Sequence, residues 1–431
     1  MLLNFTLAVK GYPLTKARND LRHIQLLNPA AFRKWQENKR WETARYHFEH
    51  NTVYRSLFTT AFPDNWDVLP VIEKKHLQGN FDNLLSAPFR PAEIYVGNTS
   101  GSSGHPFFFA KDKYAHAMTY ALIADRYAWH GLKLGQKQAR FYGIPLIGRS
   151  RQIELAKDLI SNRVRFPVFD LSDAQLSVFL KKFSNTKFKY LYGYTSALVL
   201  FARYLLDKKI VLKTVCPTLC ICIVTSEVCT REDMDILQSA FGLPIANEYG
   251  ASELDIIAFT DESGDWILSE ENLYVEVLDQ SNRPVPDGEE GKIIITSLHN
   301  RAFPMVRYEI GDLGVIERGA KSRLLQLSGR TNDVIQLPSG KNAAGLTFYY
   351  ISRSILESGG SLREFIIRQT ALDTFVFDVV TDRPLSDSEV SGIRAAMKTY
   401  LEDGLILEIN RVEKIERPAS GKTKHFFACL P

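Results

Sequence analysis

Thr99-Ser100-Gly101-Ser102-Ser103-Gly104-His105-Pro106 is the stretch on which the reading of this chain turns. A strand-like run, Glu93-Ile94-Tyr95-Val96, leads into it, and an apolar run, Phe107-Phe108-Phe109-Ala110, leads out. Four hydroxyls and two glycines, with no bulky side chain before His105, suit neither core, helix nor ordinary strand. Such a segment exposes backbone N–H groups and short O–H donors, which hold a polyphosphate closely. By composition alone a flexible Gly/Ser turn is the simpler reading. The functional reading rests on what stands downstream.

Two commoner meanings are excluded. A Walker loop needs Gly-x-x-x-x-Gly-Lys-Ser/Thr opening a helix, whereas here the last glycine precedes His105-Pro106. The other candidate, Gly421-Lys422-Thr423, has Glu416 in place of the first glycine. A nucleophile elbow needs Gly-x-Ser-x-Gly, and Gly101-Ser102-Ser103-Gly104 is one residue short.

The 431 residues suggest two or three domains, and 45% apolar against 24% charged residues describe an ordinary globular protein. A net charge of +4, from 53 basic and 49 acidic residues, argues against a nucleic-acid binder. Five cysteines, an odd number, fit reduced thiols in a cytoplasmic protein. Cys216, Cys220 and Cys222 lie close together, but the last two sit in an apolar run better read as a buried strand than as a metal site. The N-terminal stretch lacks a basic n-region and reads poorly as a signal peptide, and no apolar run approaches a membrane span.

Taken in order, residues 13–62 read as helical, and 113–129 as a helix with Tyr114, Met118 and Leu122 on one face. Between 141 and 223 short apolar runs alternate with helical ones, which favours an α/β layer of largely parallel strands. A helix over 232–240 ends at Gly242, and strand 244–246 runs into Asn247-Glu248-Tyr249-Gly250-Ala251-Ser252-Glu253. Residues 266–315 are β-rich. Beyond a boundary near Gly329-Arg330 lies a small α+β section, whose helix opens on Ser386 and Glu389, spaced as a capping box.

Four separated stretches resemble, in order, the motifs of the adenylate-forming enzymes: TSGSSGHP (99–106), EYGASE (248–253), RYEIGDLG (307–314) with GRTNDVI (329–335), and SGKTK (420–424). Phe303-Pro304-Met305-Val306-Arg307-Tyr308, the helical N-terminal section and the modest length resemble the phenylacetate–CoA ligase and CapK-like branch. The resemblance implies an α/β protein. Its large multi-layer N-terminal domain (1–328) would bind ATP and acid, and a small mobile α+β C-terminal domain (329–431) would carry a catalytic lysine.

The resemblance also implies the roles. Thr99, Ser100, Gly101, Ser102, Ser103 and Gly104 would hold the β- and γ-phosphates of ATP, and Glu253 would help hold Mg²⁺. Tyr249, after which Gly250 makes the turn, would stack on adenine, and Ser252 would bond the α-phosphate. Asp312 would accept the ribose hydroxyls, with Arg330 adding a contact near the hinge. Lys422 would stabilise charge developing on the α-phosphoryl group. Tyr192, Tyr194, Asn247 and Glu248 mark where the acid pocket should lie and hint at a cyclic or polar acid. His105 stands where many members carry Lys, and Asn332 replaces the usual hinge aspartate.

The expected activity is ATP-dependent conversion of an aryl or small acyl acid to an acyl-adenylate, then transfer to CoA. Competing readings are transfer to an amine, sugar or carrier protein, adenylyl transfer to a hydroxyl, and a non-catalytic nucleotide-binding relative. A hydrolase built on Gly-Ser-Ser-Gly lacks an organised base.

Overall fold

The structure, a computed structural model, describes residues 2–59, 61–77, 79, 81–99, 107–143, 148–328, 334–344, 347–348, 351, 362–381, 383–413, 415 and 426–430. The N-terminal section holds α1 (Leu2–Val9), α2 (Leu14–Gln25), α3 (Pro29–His50) and α4 (Thr52–Ser56). A hairpin follows, β1 (Tyr95–Thr99) and β2 (Phe107–Lys111), then α5 (Lys113–Ala128). Next come β3 (Gln138–Phe141), α6 (Gly148–Ile160), β4 (Arg163–Phe166), α7 (Asp173–Asn185), β5 (Tyr190–Tyr194), α8 (Thr195–Asp207), α9 (Leu212–Val215), β6 (Ile221–Thr225) and α10 (Arg231–Phe241). The β-rich stretch comprises β7 (Ile245–Ala251), β8 (Asp255–Thr260), β9 (Trp266–Leu268), β10 (Leu273–Leu278), β11 (Glu290–Ser297), β12 (Tyr308–Glu317) and β13 (Arg323–Ser328). The last elements are β14 (Val334–Gln336), β15 (Asn342–Ala344), β16 (Leu362–Ala371), β17 (Thr374–Thr381), α11 (Asp387–Tyr400), β18 (Ile406–Arg411) and β19 (Phe426–Ala428).

Local chemistry sets many of these ends. Asn28 caps α3 by accepting from Ala31 N, with Pro29 at the first helical position, where its missing N–H costs nothing. Thr230 and Asp233 form a capping box on α10, which ends at Gly242 in the left-handed conformation. The expected box of Ser386 and Glu389 is formed on α11, whose Ile393, Met397 and neighbouring Leu401 are buried. The cysteine run is β6, and all five cysteines are free.

The chain divides into two compact units. The first comprises residues 1–99, 107–134 and 248–329. It contains the β1–β2 hairpin and antiparallel strands in the order β10-β11-β12-β13-β9-β8-β7. Trp66, Phe107, Phe109, Leu273, Ile293, Phe303 and Tyr308 belong to its core. The second comprises residues 100–106, 135–247 and 330–431. Its strands β6-β5-β3-β4 run parallel, as the alternating pattern favours, over an aromatic core in which Phe141 stacks on Phe166 at 4.8 Å. A further four-stranded sheet, β18-β17-β16-β19, shares with α11 a core that also takes in Phe169, set edge-on to Tyr400 at 5.2 Å.

Among the described residues no helix is long and apolar enough to cross a membrane.

Candidate active site

In the first unit two β-bulges present the acidic residues that the motifs single out. The pairing of β7 with β8 shifts register between Tyr249 and Gly250, then closes through a turn in which Leu254 N donates to Ala251 O at 3.1 Å. Glu253 lies inside that turn, 8% exposed. Gly250 is needed for space: a Cβ there would meet Asp255 O at 2.6 Å. On β12, Leu313 pairs with Lys292 and Glu309 with Ile294, so residues 310–312 bulge opposite a single residue of β11. Gly311 takes φ +79° within that bulge, a conformation glycine adopts without steric cost. Asp312 follows it, 8% exposed. Bulges re-aim side chains, and here they bring the two motifs into contact.

The contact is direct. Tyr249 Oη donates to Asp312 Oδ2 at 2.9 Å, and Tyr308 Oη donates to Glu253 Oε1 at 3.2 Å. Burial pushes the Tyr249 hydroxyl far above its ordinary pKa, and the charge of Glu253 adds to the effect, so Tyr249 stays protonated and donating. Tyr308 stacks on Phe107 with centroids 6.2 Å apart and planes 6° apart. Phe107 begins β2 and pairs with Thr99, so the ring that backs Tyr308 stands at the hairpin end from which the hydroxyl-rich stretch leaves. The Ser252 side chain is exposed and Glu248 is half-buried.

A carboxylate with hydroxyl support is the ligand type a hard cation takes. Among the described residues no cluster of three or more His, Cys, Asp or Glu forms a cage.

In the second unit Tyr192 and Tyr194 lie on β5 and pack against Tyr142, with centroids 5.9 and 4.0 Å away. The Arg140 guanidinium lies over Tyr142 at 4.3 Å and over Tyr192 at 4.7 Å. Tyr142 Oη and Ser226 Oγ are 2.9 Å apart. Asn247 is buried at the second unit's end of β7. Thr99 ends β1, while Ser100, Gly101, Ser102, Ser103, Gly104, His105, Arg330, Asn332 and Lys422 lie outside the described residues.

Sequence reasoning did not single out Tyr308, Phe107, Tyr142 or Arg140. Tyr308 stands inside the quoted motif RYEIGDLG, four residues before Asp312, and that membership was the available signal. The other three acquire their neighbours only through strand pairing.

No family model matches the chain. Protein CapK of Staphylococcus aureus is 24% identical over 281 residues, 63% of this chain and 60% of CapK. The phenylacetate-coenzyme A ligase of Pseudomonas putida is 29% identical over 110 residues, 23% of this chain and 24% of the ligase. The matches thus span less than two thirds of these relatives' length. Among solved structures, 2-hydroxyisobutyryl-CoA ligase in its postadenylation state is similar with a TM-score of 0.56 at 19% identity, over 93% of this chain and 90% of that one. The same ligase with an acyl-AMP and CoA in the thioesterification state gives 0.57 at 18% identity, over 92% and 89%. These likenesses establish the fold. The curated relatives, CapK and the phenylacetate–CoA ligases, are the proteins this chain is similar to, in keeping with the resemblance of its four motifs to the adenylate-forming superfamily.

Proposed function

We propose that the chain is an AMP-forming acid ligase that activates a carboxylic acid with ATP and passes the acyl group to a thiol. The observation that carries this reading is the pair of contacts Tyr249–Asp312 and Tyr308–Glu253, which joins two motifs 55 to 63 positions apart at one place. An oxygen of the acid attacks the α-phosphorus, the bond to the bridging oxygen of the β-phosphate breaks, and pyrophosphate leaves. A thiolate sulfur then attacks the acyl carbon, AMP departs, and the thiol proton passes to solvent. Mg²⁺, when bound, neutralises phosphate charge during the first step.

The chain's own residues supply binding and orientation. Asp312, held by Tyr249, accepts the ribose hydroxyls. Glu253, held by Tyr308, is the protein's ligand toward the cation. Thr99, Ser100, Gly101, Ser102, Ser103 and Gly104 hold the phosphates, Ser252 the α-phosphate and Arg330 the nucleotide near the hinge. Lys422 neutralises the charge that grows as the α-phosphorus is attacked. The acid lies against Tyr192 and Tyr194, near Asn247 and Glu248, where aromatic faces and a guanidinium suit a ring-bearing or oxygen-rich acid. The segment 329–431 acts as a small mobile domain that presents Lys422 for adenylation and withdraws it for transfer.

The acceptor has two candidates. CoA is supported by the names of the ligase relatives, and 2-hydroxyisobutyryl-CoA ligase was solved with CoA. An amine, sugar or carrier protein is the second candidate, since the longer match, to CapK, carries no CoA-ligase name. Incubation with ATP, Mg²⁺ and a panel of aryl, acyl and amino acids, followed by mass spectrometry, tests the first step. An acyl-adenylate formed with one acid class, discharged on adding CoA or an amine, supports the reading and names the acceptor. ATP binding without an adenylate from any acid contradicts it.

A further inference from the structure

A buried ion pair, Lys111 with Asp255, has no role in the assignments above. Lys111 ends β2, opposite Tyr95 at the far end of the hairpin from the hydroxyl-rich stretch. Asp255 opens β8, immediately after the turn that carries Glu253. The two side chains are only 5% and 12% exposed. Lys111 Nζ also donates to Ser252 O at 3.3 Å, and Thr119 Oγ1 on α5 donates to Asp255 Oδ2 at 2.6 Å. One ammonium therefore grips the turn at both ends, through the Ser252 carbonyl and the Asp255 carboxylate. Glu253 stands between them.

The backbone needs such a grip. Asp255 holds φ +66°, a left-handed conformation that non-glycine residues adopt sparingly. Beside the pair, His116 lies stacked on Tyr95 at 4.0 Å, and burial holds its pKa down to about 4, so it adds no third charge. Removing two charges from water is costly, and a well-packed apolar pair is often at least as stabilising. What an apolar pair lacks is direction. The ammonium joins the strand that leaves the phosphate stretch to the turn that carries the metal carboxylate.

We infer that Lys111 and Asp255 are positioning residues for the magnesium–nucleotide complex, fixing turn 252–255 against the β1–β2 hairpin so that the Glu253 carboxylate keeps one orientation. The inference rests on the ligase reading above. Neither residue touches substrate; both act through Glu253, as groups behind a ligand orient it.

The test is calorimetric binding of ATP to the full chain, once with Mg²⁺ and once with chelator, alongside a thermal melt. Wild type is expected to gain affinity from Mg²⁺. Lys111→Met weakens magnesium-bound ATP by about 10–100-fold, the range for loss of a group that orients a ligand, and leaves metal-free ATP nearly unchanged. Lys111→Arg restores most of the loss. Because Lys111→Met strands a buried carboxylate, the double variant Lys111→Met/Asp255→Asn and the near-isosteric Thr119→Val are measured too. The double variant is expected to match Lys111→Met, and Thr119→Val to weaken magnesium-bound ATP by roughly a few-fold. Unchanged magnesium-bound affinity in a folded variant overturns the inference, and so does an equal loss with and without metal, which marks a merely structural pair. Wild type that binds no ATP at all overturns the ligase reading, and this inference with it.

Discussion

At the residue scale, the Tyr249–Asp312 hydrogen bond and the Tyr308–Glu253 hydrogen bond separate two tasks that the motifs alone leave mixed. Tyr249→Phe keeps the ring and removes only the donor to Asp312. Because the bond is to a carboxylate, KM for ATP should rise by about tenfold or more while KM for the acid stays within about twofold. An unchanged KM for ATP would show that Asp312 does not depend on this hydroxyl. Glu253→Gln should lower turnover by about 10²–10³-fold, as loss of a group that organises charge stabilisation does. Tyr249, Glu253 and Asp312 were legible in the sequence as motif members. Their contacts were not, because bulges at Tyr249-Gly250 and at 310–312 decide which side chains meet, and a bulge leaves no periodic trace. Lys111 at the end of Phe107-Phe108-Phe109-Ala110 reads as a charge stopping an apolar strand, with nothing local to announce Asp255 across the unit.

At the scale of elements, Arg307 shows how one side chain anchors a strand. Its guanidinium is 0% exposed, donates to the carbonyls of Asp67 at 3.0 Å and Leu69 at 2.6 Å, and faces Glu276 at 3.4 Å. The backbone is tied at the same place: Ile72 N donates to Arg307 O at 2.9 Å and Glu309 N to Ile72 O at 2.8 Å. Arg307 thereby fixes the start of β12, five residues before Asp312. Arg307→Met should leave the Glu276 carboxylate buried without its cation and lower stability by about 3–5 kcal/mol in urea denaturation. A loss below about 1 kcal/mol would contradict this anchoring role. Helix ends were the most legible elements, since the Ser386/Glu389 box and Gly242 act through near neighbours. The extent of β7 was less legible. Strand 244–246 was expected, yet β7 runs Ile245–Ala251 through the motif itself, held by pairing with β8 despite the strand-weakening Gly250.

At the scale of the whole molecule, the alternation of helices and strands fixes the α/β class, and the parallel order of β3, β4, β5 and β6 follows from it. The grouping of residues 135–247 with 330–431 had no local sign, because it rests on contacts between distant stretches. Three buried imidazoles make stability depend on acid. His47, His116 and His299 are each held to about 4, chiefly by burial. His47 Nε2 donates to Asn300 O at 3.0 Å, and its Nδ1 meets Ser86 Oγ at 2.9 Å, which fits a neutral ring. The unfolded chain therefore binds more protons between about pH 4 and 6.5. Stability falls as pH drops through that window, by up to about 1.4 kcal/mol per pH unit for each imidazole, and levels off below it. Denaturation across pH should show this slope, and His47→Gln should reduce it by about one proton; a flat profile would contradict it. The central claim, carboxylate adenylation, is tested most directly by acid-dependent ATP–pyrophosphate exchange in wild type, Glu253→Gln and Lys422→Ala. Exchange that requires one class of acid and is lost in both variants is the predicted result. Exchange absent with every acid, or undiminished in both variants, would contradict the account.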